Sequence, residues 1–255
     1  MVLLLLTFCL GERITQSPTA DSMTQPLSLE KFLREAKVVA VLKDEMGRSR
    51  PWLITLDDGK ARRRALFKHF DYRRPQPLPH SYKYELAAYE LNRLLGVEIV
   101  PPVVERKIEG RTGSLQIFLE NCVSEQDRRR KKLQPPDPRA FANALDGIRV
   151  FESLVGDECL NYQDLLVPLE DWQCCRVDFS EAFAPSEELR AGCEITVSSR
   201  KLYEGLTELA DVTVEAAMKA YLSDGEIKAL LTRKRLIVEK IKSLIAEKGE
   251  AAVLF

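Results

Sequence analysis

Asp157, Asn161 and Asp164 stand close together in a polar stretch, and Asp178 follows at the end of an apolar, alternating run. Carboxylates and an amide in this order are hard oxygen donors of the kind that hold Mg²⁺. Phosphoryl transfer from ATP needs such donors at one end of a strand pair, with a general base just ahead of them. The expected order is an Asp, then after four residues an Asn or Asp, then a second Asp beyond the hairpin.

Those residues require a helix, a loop and a strand pair to position them. In RVFESLVG, Val150, Phe151 and Leu154 share one side of a helix that Gly156 stops. Residues 165–167 form a short apolar run, PLED supplies a turn, and WQCCRVDF reads as the returning strand. Upstream, Ser28 caps a helix over residues 30–36 with Leu29, Phe32, Leu33 and Ala36 inward. Three strands follow, VVAVL, WLITL and RRALF, the last ending at Lys68, with the DDG between the second and third reading as a type I′ turn. After the proline-rich RRPQPLPH comes an amphipathic helix, SYKYELAAYELNRLLG, with Leu86, Tyr89, Leu91, Leu94 and Leu95 inward and Gly96 as its stop. Residues 97–121 then read as two strands around a turn at 109–113.

These blocks resemble a bacterial family of protein-kinase-like fold, distantly related to HipA-type and secretory-pathway kinases. The family carries N-T-D-R-N-x-G-N-L-L and W-x-L-W-x-I-D-H-x-R-A-F, and here Asn161, Leu165, Leu166, Trp172, Asp178, Ala182 and Phe183 match. Two further blocks, S-Y-x-x-E-V-A-A-Y-E-L and V-P-P-T-V-E-R-x-I-D-G-x-x-G-S-L-Q, match in the right order. The resemblance implies an α+β, two-lobed protein-kinase-like fold with a small antiparallel-sheet lobe over residues 28–123 and a larger, mostly helical lobe over 139–255. It implies ATP and Mg²⁺ as ligands, Lys68 on the α- and β-phosphates, Glu85 as its partner, and Asp164 and Asp178 on the metal. Glu120, Asn121 and Cys122 become the hinge facing adenine, and the turn at 47–49 lies over the phosphates. The position of the catalytic Asp is Cys159, and Leu160 replaces the Arg beside it. A thiol there is a poor general base, with an ordinary pKa of about 8.5. Three readings follow: a degenerate, pseudokinase-type ATP-binding protein; an active phosphotransferase of unknown acceptor with Asp157 as the base; or an interaction module without nucleotide.

A formal net charge of −1 argues against a bulk nucleic-acid binder. The six Cys have no C-x-x-C spacing and there are only two His, so no zinc pattern exists and the cysteines read as free thiols, at least one of Cys174 and Cys175 serving as a small core residue. Residues 2–10, VLLLLTFCL, are too short to span a bilayer. Residues 1–27 read as a signal-like or disordered extension, with Met23 a second start. A cytoplasmic location is expected, or a secreted or periplasmic one if residues 1–22 act as a signal peptide. Residues 124–138, with five consecutive cations at 128–132, read as a basic, proline-rich linker or insertion in a solvated loop. The C-terminal third reads as helical from LRAGCEI onward, with a capping box at Ser223 and Glu226, a stop at Gly249, and Arg233, Lys234 and Arg235 on an exposed arc.

Overall fold

The computed structural model describes residues 26–43, 51–72 and 80–255. The turn at 47–49, the proline-rich loop at 73–79 and the N-terminal 25 residues fall outside the described residues. The sheet of the small lobe runs β1 (Lys37–Lys43), β2 (Trp52–Asp57), β3 (Arg62–Lys68), β7 (Arg111–Ile117), β6 (Val103–Ile108) in spatial order, every neighbour antiparallel. Alternation decides its faces: Trp52, Ile54 and Leu56 on β2 and Ala65 and Phe67 on β3 are buried under α1 (Pro26–Glu35), whose Leu29, Phe32, Leu33 and Ala36 complete that core. Arg106 on β6 fastens the end of α1 by donating to the carbonyls of Leu33 (2.6 Å) and Ala36 (2.7 Å), which the helix leaves without partners.

Three local expectations change. Helix α1 already begins at Pro26, two residues before Ser28. The β2–β3 connection is a four-residue loop in which Asp58 caps the amides of Lys60 and Ala61, with only Gly59 at positive φ, so it is not a type I′ turn. The type I′ geometry instead belongs to Glu109 and Gly110, at φ 47° and 79°, leaving Gly113 inside β7. Gly113 lies opposite β3, where an added Cβ would come within 2.1 Å of the Lys68 carbonyl oxygen. Close approach of the two backbones requires its missing side chain.

Two short strands, β4 (Asp71–Tyr72) and β5 (His80–Ser81), lead to α2 (Tyr82–Leu94). Ser81 caps α2 by accepting from the Lys83 amide, and Gly96, at φ 66°, lies past its end. Tyr84, Leu86, Tyr89 and Leu91 bury one side of α2 in a larger core that continues into the helical lobe. That lobe consists of α4 (Pro138–Val155), α5 (Arg200–Glu208), α6 (Asp211–Met218), α7 (Asp224–Lys248) and α8 (Glu250–Val253). The Ser223–Glu226 capping box starts α7, and Gly249 follows its end.

Where the composition suggests a linker there is a folded segment. β8 (Cys122–Ser124) runs into α3 (Glu125–Arg130), and the fully buried Glu125 carboxylate holds Arg128 (2.5 Å) and Arg129 (2.6 Å), so the cationic run is partly internal. The expected helix at LRAGCEI is absent, since residues 184–197 form neither helix nor strand. Arg233 and Lys234 are buried rather than exposed: Arg233 donates from Nε to the Leu154 carbonyl (2.9 Å) and from Nη1 to that of Ala184 (2.8 Å), pinning the end of α4. Polar helix positions turn inward here because they satisfy carbonyls that the ending helix and irregular chain leave over.

Candidate functional site

β9 (Leu165–Pro168) and β10 (Cys175–Arg176) form the hairpin beneath the sheet, with β8 on its other edge. Leu165, Val167, Cys174, Phe141 and Ile148 pack as a small core that holds the hairpin to α4. Cys174 and Cys175 are both buried. The loop from α4 into β9 carries Asp157, Cys159, Asn161 and Asp164, and the Val177 amide donates to the Asp164 carbonyl (3.0 Å), so the two ends of the hairpin are tied together.

Lys68 leaves the end of β3 and places Nζ 2.6 Å from Glu85 Oε1 on α2 and 2.6 Å from Asp178 Oδ1 past β10. The other oxygen of Glu85 accepts from the Phe179 amide at 3.1 Å, so one carboxylate holds both the Lys and the backbone after Asp178. Sheet, helix and hairpin thus meet at a single ammonium. Burial disfavours charge on Lys68, but Glu85 and Asp178 outweigh it and hold its pKa above the ordinary lysine value. Burial likewise opposes ionisation of Asp178, yet Lys68, with the Ser180 hydroxyl at 2.5 Å, holds its carboxyl well below the usual range. Asp178 adopts φ 62°, a left-handed conformation that Asp tolerates better than most residues and that here turns its carboxylate toward Lys68.

A second cluster lies alongside and centres on Arg176, which sequence reasoning did not single out. Its guanidinium is almost fully buried and pairs with Glu152 (2.8 Å), Asp157 (3.0 Å) and Asp164 (3.5 Å), and also faces the Phe179 ring. Glu152 from α4 accepts from the Leu160 amide with its other oxygen (2.8 Å), fixing Leu160 at φ 49°. Burial pushes the Glu152 carboxyl up to about 7, against the pull of Arg176. It pushes Asp164 up to about 6, Arg176 again opposing and Asp178 adding like-charge repulsion. Asp157 is 6% exposed and its pKa is also raised by burial. The available signal for this cluster was Glu152 on the apolar side of VFESL and Arg176 in an otherwise apolar strand, both of which need a buried partner.

Cys159 is not a free thiol: it is joined to Cys193, and the expectation of six free cysteines is corrected. The sequence spacing gave no warning, because the partner lies 34 residues away across the whole hairpin. The residues expected at a hinge divide. The Glu120 carboxylate is taken by Arg64 (Nε at 2.7 Å), the Asn121 carbonyl accepts from the Leu169 amide, and burial pushes the Cys122 thiol up to about 11. Any hinge contact with a base would therefore use backbone groups.

For a divalent cation, the donors expected from the sequence are Asp164 and Asp178, two partly exposed carboxylates near enough to repel each other. Among the described residues no group of three or more His, Cys, Asp or Glu could hold a metal alone. Magnesium is commonly bound by one or two carboxylates completed by substrate phosphates, and this pair fits that mode. Among the described residues, no helix is long and apolar enough to cross a membrane.

No protein-family model and no curated protein matches the sequence. Solved structures do. The chain is similar to hydra Fam20 with sugar at 15% identity, over 92% of this chain and 93% of that one, with a TM-score of 0.64. It is similar to the Golgi casein kinase with Mn/ADP bound at 14% identity, over 91% and 78%, with a TM-score of 0.61. A Helicobacter pylori proinflammatory kinase, CtkA, matches at 9% identity over 85% and 96%, with a TM-score of 0.52. These likenesses show a protein-kinase-like fold.

Proposed function

We propose that the chain binds ATP with a divalent cation between its two lobes and is a degenerate, pseudokinase-type phosphotransferase. The observation that carries this is Lys68, held 2.6 Å from both Glu85 and Asp178 where sheet, helix and hairpin converge. A buried ammonium at the junction of sheet, helix and hairpin, with a carboxylate on either side, is suited to phosphate oxygens. Glu85 would hold Lys68 in place for the phosphates. Asp178 and Asp164 would hold the cation, which when bound would neutralise phosphate charge. The backbone at 120–122 would meet the adenine.

Weak chemistry follows from what stands at the base position. Cys159 is consumed in a disulfide and cannot accept a proton. Asp157, the alternative base of an active kinase, is buried and committed to Arg176, and would have to abandon that pair to reach a substrate hydroxyl. The disulfide also supports an oxidising, exported location over a cytoplasmic one, because such bonds persist where thiols are not kept reduced. Calorimetry and radiolabelled ATP test the reading together. Wild type is expected to bind ATP with Mg²⁺ saturably and to transfer little label to itself or to generic acceptors. Brisk transfer that disappears in Asp157→Asn would overturn the degenerate reading, and absence of binding would overturn the nucleotide reading.

A further inference from the structure

The Cys159–Cys193 disulfide joins two segments that have no regular structure of their own. Cys159 lies in the loop that carries Asp164, and Cys193 lies in residues 184–197, which form neither helix nor strand. The Cα atoms are 5.7 Å apart, the usual spacing for a disulfide. The ring it closes contains β9, β10 and both candidate metal carboxylates. Residues 184–197 are fastened at one end by Arg233 to the Ala184 carbonyl and at the other by the pairing of Ser198 with Leu254. Between these ends, Glu187 pairs with Lys228 (2.6 Å), Leu189 packs on the main core and Cys193 and Ile195 are buried, and the disulfide is the segment's covalent tie to the loop. The two cysteines are unequal: Cys159 is half-buried and Cys193 is 4% exposed.

We propose that this disulfide is a thiol-exchange site that latches the Asp164–Asp178 hairpin, opened by a low-molecular-weight thiol acting at Cys159. The thiolate attacks Cys159 Sγ, the sulfur of the more exposed cysteine; the S–S bond breaks, a mixed disulfide forms at Cys159, and Cys193 leaves as a thiolate that takes a proton from water. A second thiol attacks the mixed disulfide and returns Cys159 to the thiol. In sum the protein disulfide gains two electrons and two protons while two small thiols become their own disulfide. Opening the ring leaves the loop and residues 184–197 to move independently, so the carboxylates are no longer preorganised. The effect on nucleotide rests on the function proposed above, whereas the effect on the hairpin does not.

Hydrogen exchange of the full-length protein, oxidised and after treatment with glutathione, reads the latch directly, with Cys159→Ser and Cys193→Ser as permanently open forms. Opening is expected to speed exchange about tenfold or more across 157–166 and 175–195 while α2 and α7 keep their protection. Mass spectrometry under limiting glutathione is expected to find the adduct on Cys159. Unchanged exchange, a uniform rise over the whole chain, or an adduct confined to Cys193 would each overturn the latch. In parallel, the dissociation constant for ATP with Mg²⁺ is expected to rise about tenfold on opening. Equal affinity in both forms, with the hairpin loosened, would overturn its control of the nucleotide. Absence of binding in both forms would sink the nucleotide reading and leave the latch to be decided by the exchange data.

Discussion

Replacing Arg176 with Leu keeps an apolar stem in place and removes the guanidinium that Glu152 and Asp157 share. Glu152 is fully buried and Asp157 nearly so, and each would be left without its cation. Removing one member of a buried ion pair costs about 3–5 kcal/mol. In a chain of this size each kcal/mol lowers Tm by about 2–4 °C, so the loss should be about 6–20 °C. The pH dependence separates this cause from a simple packing loss. The Glu152 carboxyl stands near 7 in the folded chain against an ordinary 4.5, so between those values the folded state binds more protons than the unfolded one. Stability therefore falls as pH rises through that window. Without Arg176 the carboxyl is pushed further up, so the decline should steepen and extend above pH 7. Urea unfolding at pH 5.5 and pH 8 checks both points, and Glu152→Gln should recover part of the loss at pH 8. A variant within about 1 kcal/mol of wild type at both pH values would refute the claim that Arg176 neutralises this cluster.

Lys68→Ala and Glu85→Gln should each weaken ATP binding, and the double variant should lose less than their sum, because the two share one ion pair; strict additivity in a double-mutant cycle would contradict the contact. Gly113→Ala should destabilise by about 1–3 kcal/mol, since its Cβ meets the backbone oxygen of Lys68 rather than a yielding side chain, and a melting curve like that of wild type would show that β3 and β7 can separate without cost. Cys159→Asp combined with Cys193→Ser returns a carboxylate to the base position without leaving an orphan thiol and, against the equally open Cys159→Ser with Cys193→Ser, should raise phosphoryl transfer toward the 10²- to 10⁴-fold that a general base typically supplies, about tenfold being the least that would sustain the account.

Local signals in the chain reached far into this fold because its central pieces are periodic. The β2 and β3 strands, the long helix after the proline-rich loop and the hairpin core all announce themselves by alternation or by spacing of Leu, Tyr and Phe, and the structure puts those residues inward. Lys68 and Glu85 were singled out only through resemblance, since a Lys at a strand end and a Glu in a helix look like surface charges until the pieces are assembled. Arg176, Glu152 and Arg233 show the converse failure. Arg233 was read as exposed, and Glu152 and Arg176 were not singled out, whereas tertiary packing surrounds all three with partners as far as 79 residues away. Cys159 and Cys193 were missed for the same reason, since disulfide pairing depends on where irregular chain comes to lie and leaves no period in the sequence. The misjudged turns are smaller matters: Asp58 found amides to cap, and a longer loop resulted.

The central claim is that Lys68, Glu85, Asp164 and Asp178 form a site for ATP and a divalent cation, and thermal melting of wild type and Asp178→Asn with saturating ATP and Mg²⁺ tests it most directly. At 100 times the dissociation constant, ligand adds about 2.7 kcal/mol to the folded state. This corresponds to a rise of about 5–11 °C for a chain of this size. The account predicts that rise in wild type and its loss in Asp178→Asn. A wild-type chain that melts at the same temperature with and without ATP and Mg²⁺, or an Asp178→Asn variant that retains the full shift, would contradict it.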